Sequence, residues 1–430
     1  MPWSMTRREA LKTAAALGAG FWIGGSQQAA AQSRSPNEKL NLAVIGVGGR
    51  GAANLSGVAG ENIVALCDVD DVRAGQAYEK FPKAKKYYDY RKMLDEMEKQ
   101  IDGVVISTPD HTHFHPAMLA MRMGKHCYCE KPMAHNVAEV RAMTEMARKM
   151  KVATQLGVQR HTMDNMHRVV ELIQSGAIGD VKEVHSWISS SRGMPNVPTD
   201  RPAVPSTLKW DLWLGPAAER PYHPTYAPYG WRFWWDFGTG ETGNWGCHIL
   251  DIPYWALGLT YPTKVEASGP EPHPQTTPKA MTTRFEFPAV GKRGPVTLHW
   301  YQVAGNPPIL KELGIEGKGN NLFIGTKGML LCDFNSRKLL PEKEFAGFEP
   351  PPQTIPKSPG FYREWIAACK GGAPATCNFD YTGPMSETVL LGNVAYRAGG
   401  FEWDAATLTA RGNDRAGQYL REEYRKGWEL

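Results

Sequence analysis

Residues 46–51 read GVGGRG, and the spacing of Gly46, Gly48 and Gly51 is one that can hold a pyrophosphate. The first glycine permits a tight turn, and the second lets the backbone approach the phosphates. The third lets a following helix pack against a sheet, so that the phosphates meet the unpaired N–H groups at its start. Alone, the spacing is a weak signal. Here an apolar run suited to a buried parallel strand, LNLAVIGV over 40–47, precedes it, and a second strand-like run, NIVALCDVD, follows. Asp68 stands 22 positions beyond Gly46, where an acid accepts hydrogen bonds from an adenosine ribose and repels a 2′-phosphate. NAD is therefore expected ahead of NADP, although Arg73 is close enough in sequence to leave NADP open. Asp70 could serve as a further partner there but reads more readily as a loop residue.

Ligands of open parallel sheets sit beyond the carboxyl ends of the strands. Thr108-Pro109, Glu130-Lys131-Pro132 and Gln159 all follow strand-like runs, which puts Lys131 on the cofactor side, on a turn stiffened by Pro132. The expected cofactor residues are Gly46, Gly48, Gly49, Arg50, Gly51, Asp68, Thr108, Pro109, His113, Glu130, Lys131 and Gln159. The Glu130 side chain is expected to point outward or to bond the backbone. His111, His113, His115 and His161 gather nearby, but the first three lie in a turn that the nucleotide should occupy. Cys127 and Cys129 alternate along a strand end and form no zinc knuckle. No metal is expected. The seven cysteines are sparse; an exported protein could bridge Cys369 and Cys377, though nothing requires it.

The elements that must hold these residues alternate. KMLDEMEKQ reads as helix, DGVVISTPD as strand and HPAMLAMRMGK as helix stopped by Gly124. HCYCEKP then leads to a helix opened by Asn136, with Glu139 in capping-box position and Val137, Val140, Met143 and Ala147 on its apolar face. A strand, VATQLGV, closes the pattern. Five or six strands with helices between them predict a doubly wound nucleotide-binding domain over 40–158. After one more helix, NMHRVVELIQSGAIG, the period changes. VKEVHSWISSS, TKVEASG, AMTTRFEFPA, PVTLHWYQVAG, NNLFIGTKGMLLCDF and RKLLP predict a large, mainly antiparallel sheet with helices on one side. The second domain is placed at 159–430, with a helix over 384–398 packing back toward the first. The connections 192–232 and 341–360 are Pro-rich and long, and no internal repeat is present. Trp210, Trp213, Tyr222, Tyr226, Tyr229, Trp231, Trp234, Trp235 and Trp245 crowd the region before and around GNWGCHILD. Flat aromatic faces beside polar groups suit a sugar, and they suit a core or dimer interface equally.

At this point the chain resembles the glucose–fructose oxidoreductase and inositol dehydrogenase (Gfo/Idh/MocA) family. The residues that carry the resemblance are the glycine turn, T-P-D-x-x-H at 108–113, E-K-P at 130–132 and G-N-W-G-C-H-I-L-D at 243–251. KWDLWLGP and ERPYHP look like an exported bacterial branch. The resemblance implies a Rossmann domain plus an α/β substrate domain whose open sheet makes homodimers or homotetramers. It matches the family's lysine to Lys131 and its histidine to His248. Typical dehydrogenase members carry an acid four residues before that histidine, where this chain has Asn244, which cannot ionise but can hydrogen-bond a sugar hydroxyl. Oxidising a secondary alcohol needs a proton acceptor, a donor that steadies the oxygen, and an aligned nicotinamide. His248 suits the first role and Lys131 the second. Trp210, His223, Tyr229, Trp231 and Arg232 are the expected substrate contacts.

Three functions fit. The first is an NAD(P)-dependent oxidoreductase of a sugar or polyol, with cofactor held tightly. The second is a glycoside-cleaving enzyme using NAD catalytically, which needs a further base from Tyr226, Tyr229 or His223. The third is a non-enzymatic sugar-binding protein.

Composition sets the outer limits. With 430 residues and 42% hydrophobic, two domains are the starting expectation. Forty-nine basic and 44 acidic residues, scattered without a basic stripe, argue against a nucleic-acid partner. Residues 1–31 have the layout of a twin-arginine export signal: Arg7-Arg8, an apolar stretch from Ala14 to Ile23, then Ala29–Ala31. Ala10 stands where an aromatic or leucine is usual, and Leu11 and Lys12 follow as expected. That route carries folded proteins, which suits cofactor uptake before export to the periplasm. Residues 32–39 form an arm, and no other stretch is apolar enough to insert in a membrane.

Overall fold

The computed structural model describes residues 38–429; the export signal and most of the arm expected at the N-terminus lie outside them. The first sheet contains β1 (Asn41–Ile45), β2 (Asn62–Cys67), β3 (Lys85–Tyr87), β4 (Gly103–Ile106), β5 (His126–Cys129) and β6 (Thr154–Leu156). Its order is β3-β2-β1-β4-β5-β6, with every pair parallel. This is the doubly wound Rossmann order, whose reversal between β1 and β4 leaves a crevice at the carboxyl ends. Its central strands are buried on both faces, as continuous apolar runs such as GVVI require. The short strand KKY has no such signal, because two of its three residues are exposed at the sheet edge.

The second sheet contains β7 (Val181–Ser189), β8 (Lys264–Ser268), β9 (Met281–Phe287), β10 (Val296–Val303), β11 (Asn321–Gly325), β12 (Met329–Cys332), β13 (Arg337–Leu340), β14 (Phe401–Asp404) and β15 (Thr409–Arg411). Its nine strands run β13-β12-β11-β7-β10-β9-β8-β14-β15, and only β7 and β10 pair in parallel. Strands β9 and β10 alternate buried and half-buried residues, the mark of a sheet with one covered and one open face.

The helix Val137–Met150 is capped by Asn136, whose Oδ1 accepts from Glu139 N at 3.0 Å. Glu139 returns the bond to His135 N, one residue earlier than a standard capping box. The late helix is longer than 384–398: it runs Phe379–Ala398, because Asn378 caps it and Pro384 is accommodated inside. Glu387 on this helix takes both Nε and Nη2 of Arg141 at 2.8 Å, joining it to Val137–Met150. All seven cysteines, Cys369 and Cys377 included, are buried and unpaired. No helix among the described residues is long and apolar enough to cross a membrane.

Candidate active site

The carboxyl ends of β1, β2, β4 and β5 and the helix Gly240–Ile249 surround one cavity of about 450 Å³. Its nucleotide end is built from space that only glycine leaves. Gly46 has φ +76°, and a Cβ there would lie 2.8 Å from the Ser107 carbonyl oxygen. At Gly51 a Cβ would come within 1.8 Å of the Gly46 carbonyl oxygen. The helix Arg50–Val58 starts at Gly49 with no side-chain cap, so no side chain competes for its first N–H groups. Asp68, on the cavity wall, accepts from Val47 N at 2.8 Å, Gly48 N at 3.3 Å and Asp70 N at 3.0 Å. Burial raises its carboxyl pKa, and these N–H groups only partly offset that. Asp70 is no free loop residue: its Oδ1 caps the helix Asp71–Lys80. The Arg73 guanidinium covers the turn, with Nη2 2.6 Å from where a Gly49 Cβ would be. A dinucleotide fits this cradle.

Glu130 is buried, contrary to an outward orientation. Its Oε1 receives Arg50 Nε at 3.3 Å, Asn54 Nδ2 at 3.0 Å and Gln159 Nε2 at 2.7 Å. It ties the glycine-turn helix to the ends of β5 and β6. A carboxylate taken from water needs such partners. Arg50 also donates to Gln159 Oε1. Thr108 and Pro109 line the cavity, whereas His113 sits behind it. His113 bridges the Pro132 and Thr108 carbonyls, Nδ1 at 2.8 Å and Nε2 at 2.9 Å, and so braces the lysine turn. Asp110 accepts from Thr239 N at 3.1 Å and Oγ1 at 2.6 Å, anchoring the T-P-D loop to the start of Gly240–Ile249. The other flagged histidines are tethered too: His111 to the Trp213 carbonyl, His115 to that of Trp428, and His161 to Asp251.

Lys131 follows β5, its peptide to Pro132 is cis, and its Nζ donates to Asn244 Oδ1 at 2.8 Å. Asn244 Nδ2 in turn donates to Glu241 Oε2 at 3.2 Å, which fixes the orientation of the amide. Glu241 is fully buried and forms an ion pair with Arg192, and Arg192 Nη1 donates to the Tyr229 hydroxyl at 2.9 Å. His248, one turn beyond Asn244 on the same helix face, lines the same cavity. Burial pulls the Lys131 pKa below the ordinary lysine range, helped by the charge of Arg232 and opposed by Asp110 and Glu130. Burial, then the charge of Lys131, pulls the His248 pKa well below its ordinary value, which favours the neutral imidazole. Its Nδ1 is buried without a partner.

The aromatic-rich segment divides in two. Tyr229, Trp231 and Arg232 line the cavity, with the guanidinium 4.4 Å from the Trp231 ring centroid and 5.2 Å from that of Tyr229. Tyr226, Trp210 and His223 do not. Tyr226 is 4% exposed and meets Trp234 edge-on at 4.8 Å, in an aromatic core whose Trp213 and Trp231 also form part of the cavity wall. Trp210 stacks on Trp213 at 4.7 Å and donates Nε1 to the Arg220 carbonyl. His223 is held by Thr225 Oγ1 at 2.9 Å and Asp200 at 3.2 Å. Crowded aromatic rings gain more by burying one another than by facing a wet pocket. Sequence reading passed over Glu241 and Arg192. Glu241 had a signal, since it lies three residues before Asn244 and so on its helix face; Arg192, in a long irregular connection, had none.

Residues 40–158 match the oxidoreductase family with an NAD-binding Rossmann fold, and residues 181–288 match the C-terminal alpha/beta domain of the same Gfo/Idh/MocA family. The chain belongs to this family. Its first domain is an NAD(P)-binding Rossmann domain. Inositol 2-dehydrogenase of Salmonella typhimurium is 29% identical over 185 residues, 41% of this chain and 54% of that protein. A glycosyl hydrolase family 109 protein of Solibacter usitatus is 32% identical over 200 residues, 41% of this chain and 44% of that protein. The chain thus matches about half the length of these curated relatives. The WlbA dehydrogenase of Bordetella pertussis, solved with NADH and UDP-GlcNAcA, shares the fold at 16% identity and a TM-score of 0.60, covering 84% of this chain and 97% of that one.

Proposed function

We propose that the protein is an NAD-dependent oxidoreductase acting on a secondary hydroxyl of a sugar, polyol or glycoside. The observation that carries this reading is the opening of Lys131 and His248 on the same cavity as the glycine turn and Asp68. Asp68 and the glycine turn would hold the dinucleotide, which would supply the hydride acceptor. Lys131 donates a hydrogen bond to the reacting oxygen and places positive charge beside it. His248 accepts the hydroxyl proton at Nε2, since its Nδ1 is buried. Asn244 aims the lysine, and Trp231, Tyr229 and Arg232 receive the rest of the substrate. We extend the reading to export by the twin-arginine route with the cofactor already held, and to a homodimer or homotetramer.

A second reading is redox-neutral glycoside cleavage: oxidation at C3, elimination of the aglycone, addition of water and re-reduction. Asn244 in place of an acid favours it, as does the similarity to the Solibacter protein. Of the bases considered for it, Tyr229 alone lines the cavity, because His223 and Tyr226 are tethered or packed elsewhere. One experiment separates the readings. A panel of sugars, polyols and glycosides is incubated with enzyme and NAD in D₂O, following NADH, free aglycone and deuterium at C2. Steady NADH with an intact glycosidic bond supports net oxidation, and cleavage with C2 exchange and no net NADH supports the second route. No turnover of any member, with Lys131 and His248 replaceable without loss of sugar binding, would leave only a binding protein.

A further inference from the structure

The open face of the nine-stranded sheet carries a group of side chains that the proposed reaction does not use. Glu183 and His185 are two residues apart on β7 and therefore share a face. His299 on β10 is the register partner of His185 across the parallel pair, which brings it to the same face. Glu183 Oε1 lies 2.9 Å from His299 Nε2 and 3.2 Å from His185 Nε2, and the three ligand atoms all fall within 4.8 Å of one another.

A carboxylate gripped by two imidazole N–H groups would need no further explanation, but one contact does not fit that description. His185 is 3% exposed, and its Nε2, though near Glu183, is off the line of a hydrogen bond and has no partner. Its Nδ1 is engaged with the Tyr301 hydroxyl at 2.9 Å. Of the two tautomers the Tyr301 contact allows, the one that donates Nδ1–H to the hydroxyl presents an Nε2 lone pair to the carboxylate oxygen, an arrangement that a cation between them relieves. An oriented imidazole, its far nitrogen held by a hydrogen-bonding group, is also how metal-ligating histidines are built. Arg284, opposite His299 on β9, opposes positive charge there, and its ion pairs with Glu266 and Glu286 reduce that opposition.

We propose that Glu183, His185 and His299 form a site for a divalent transition-metal ion of the zinc class, with Tyr301 positioning His185. Two imidazoles and one carboxylate form a zinc ligand set, with water from the open face as the fourth ligand. Tetrahedral bonds of about 2.0–2.2 Å put ligand atoms about 3.3–3.6 Å apart, close to the separations from Glu183. The full site cannot be found by reading spacings, because strand pairing brings His299 to Glu183 and His185 from more than a hundred residues away in the chain.

The test uses the full chain, stripped with chelator and titrated with Co²⁺ and Zn²⁺ by calorimetry and visible absorption. The expected result is one equivalent per chain with the intense d–d bands of tetrahedral cobalt, displaced by Zn²⁺. Glu183→Gln, at a 40% exposed side chain where folding is not at stake, and His299→Ala should each weaken binding about 10²-fold or more, and Tyr301→Phe about 10-fold. The proposal is overturned by the absence of saturable binding to the unsubstituted chain. It is equally overturned by binding that Glu183→Gln and His299→Ala leave unchanged, which would assign the metal to another part of the protein.

Discussion

Replacing Asn244 by aspartate restores, on paper, the acid that typical dehydrogenases of this family carry. The geometry predicts that it fails to restore their titration. The new carboxylate would stand 2.8 Å from Lys131 Nζ on one side and 3.2 Å from Glu241 Oε2 on the other. At an effective dielectric of about 20 the attraction is ~6 kcal/mol and the repulsion ~5 kcal/mol. The two nearly cancel, so the lysine gains little from the introduced aspartate. Removing the repulsion with Glu241→Gln exposes the attraction, which raises an amine pKa by about 1–3 units. Lys131 acts as a charged donor, so its function is present below its pKa and lost as pH rises through it. Because that pKa is below the ordinary 10.5, the alkaline limb begins early in the natural protein. The assay is kcat/KM across about pH 6–11, which reports the free enzyme. The double variant should move the alkaline limb upward by about 1–3 units and N244D alone by less than about one. Glu241→Gln alone controls for the lost Arg192 pair. Equal displacement in the single and double variants, or none in the double, would refute the relay from Glu241 through Asn244 to Lys131.

Two further outcomes follow from residues placed outside the cavity. Tyr226→Phe should leave kcat/KM within about twofold, whereas Tyr226→Ala should lower stability by about 3–5 kcal/mol in chemical denaturation; a large loss of turnover in the phenylalanine variant would put the hydroxyl back in the site. Buried His135, 2.8 Å from Glu422, has its pKa pushed up to about 9: burial opposes its charge, and the Glu422 carboxylate overrides it. That pair stabilises the fold fully below the ordinary imidazole value of 6.5 and is lost as pH rises through about 9. His135→Ala should therefore cost about 3–5 kcal/mol near neutrality and progressively less above about pH 9, as read from urea unfolding. A deficit that does not shrink with pH contradicts the pairing.

The first domain was legible because each of its signals is local. Apolar runs of strand length, a glycine turn and the Asn136 cap each act within a few residues, and the parallel order follows from their alternation. The cofactor wall was legible for the same reason, since strand ends are where such sheets bind. Legibility ended where side chains choose between neighbours distant in the chain. Tyr226, Trp210 and His223 have the chemistry of a sugar site, yet a local aromatic core, Thr225 and Asp200 take them. Of the two expectations for Glu130, the backbone bond is made, to Lys131 N at 3.4 Å, whereas its side-chain partners, Arg50, Asn54 and Gln159, come from three other segments and left no local signal. The absence of an acid at 244 was read correctly from the residue type. That a buried acid stands one turn earlier, reached through the same asparagine, required the helix in space.

Everything proposed for the cavity rests on Lys131 acting on the reacting oxygen of a substrate bound beside the dinucleotide. Single-turnover hydride transfer in Lys131→Ala isolates that step, using the best substrate from the panel, with dinucleotide affinity measured in parallel. Dinucleotide binding should stay within about threefold of the unsubstituted protein, while the transfer rate falls by about 10²-fold or more, the scale of losing a positioned polar catalyst. Unchanged transfer with intact dinucleotide binding would remove Lys131 from the chemistry.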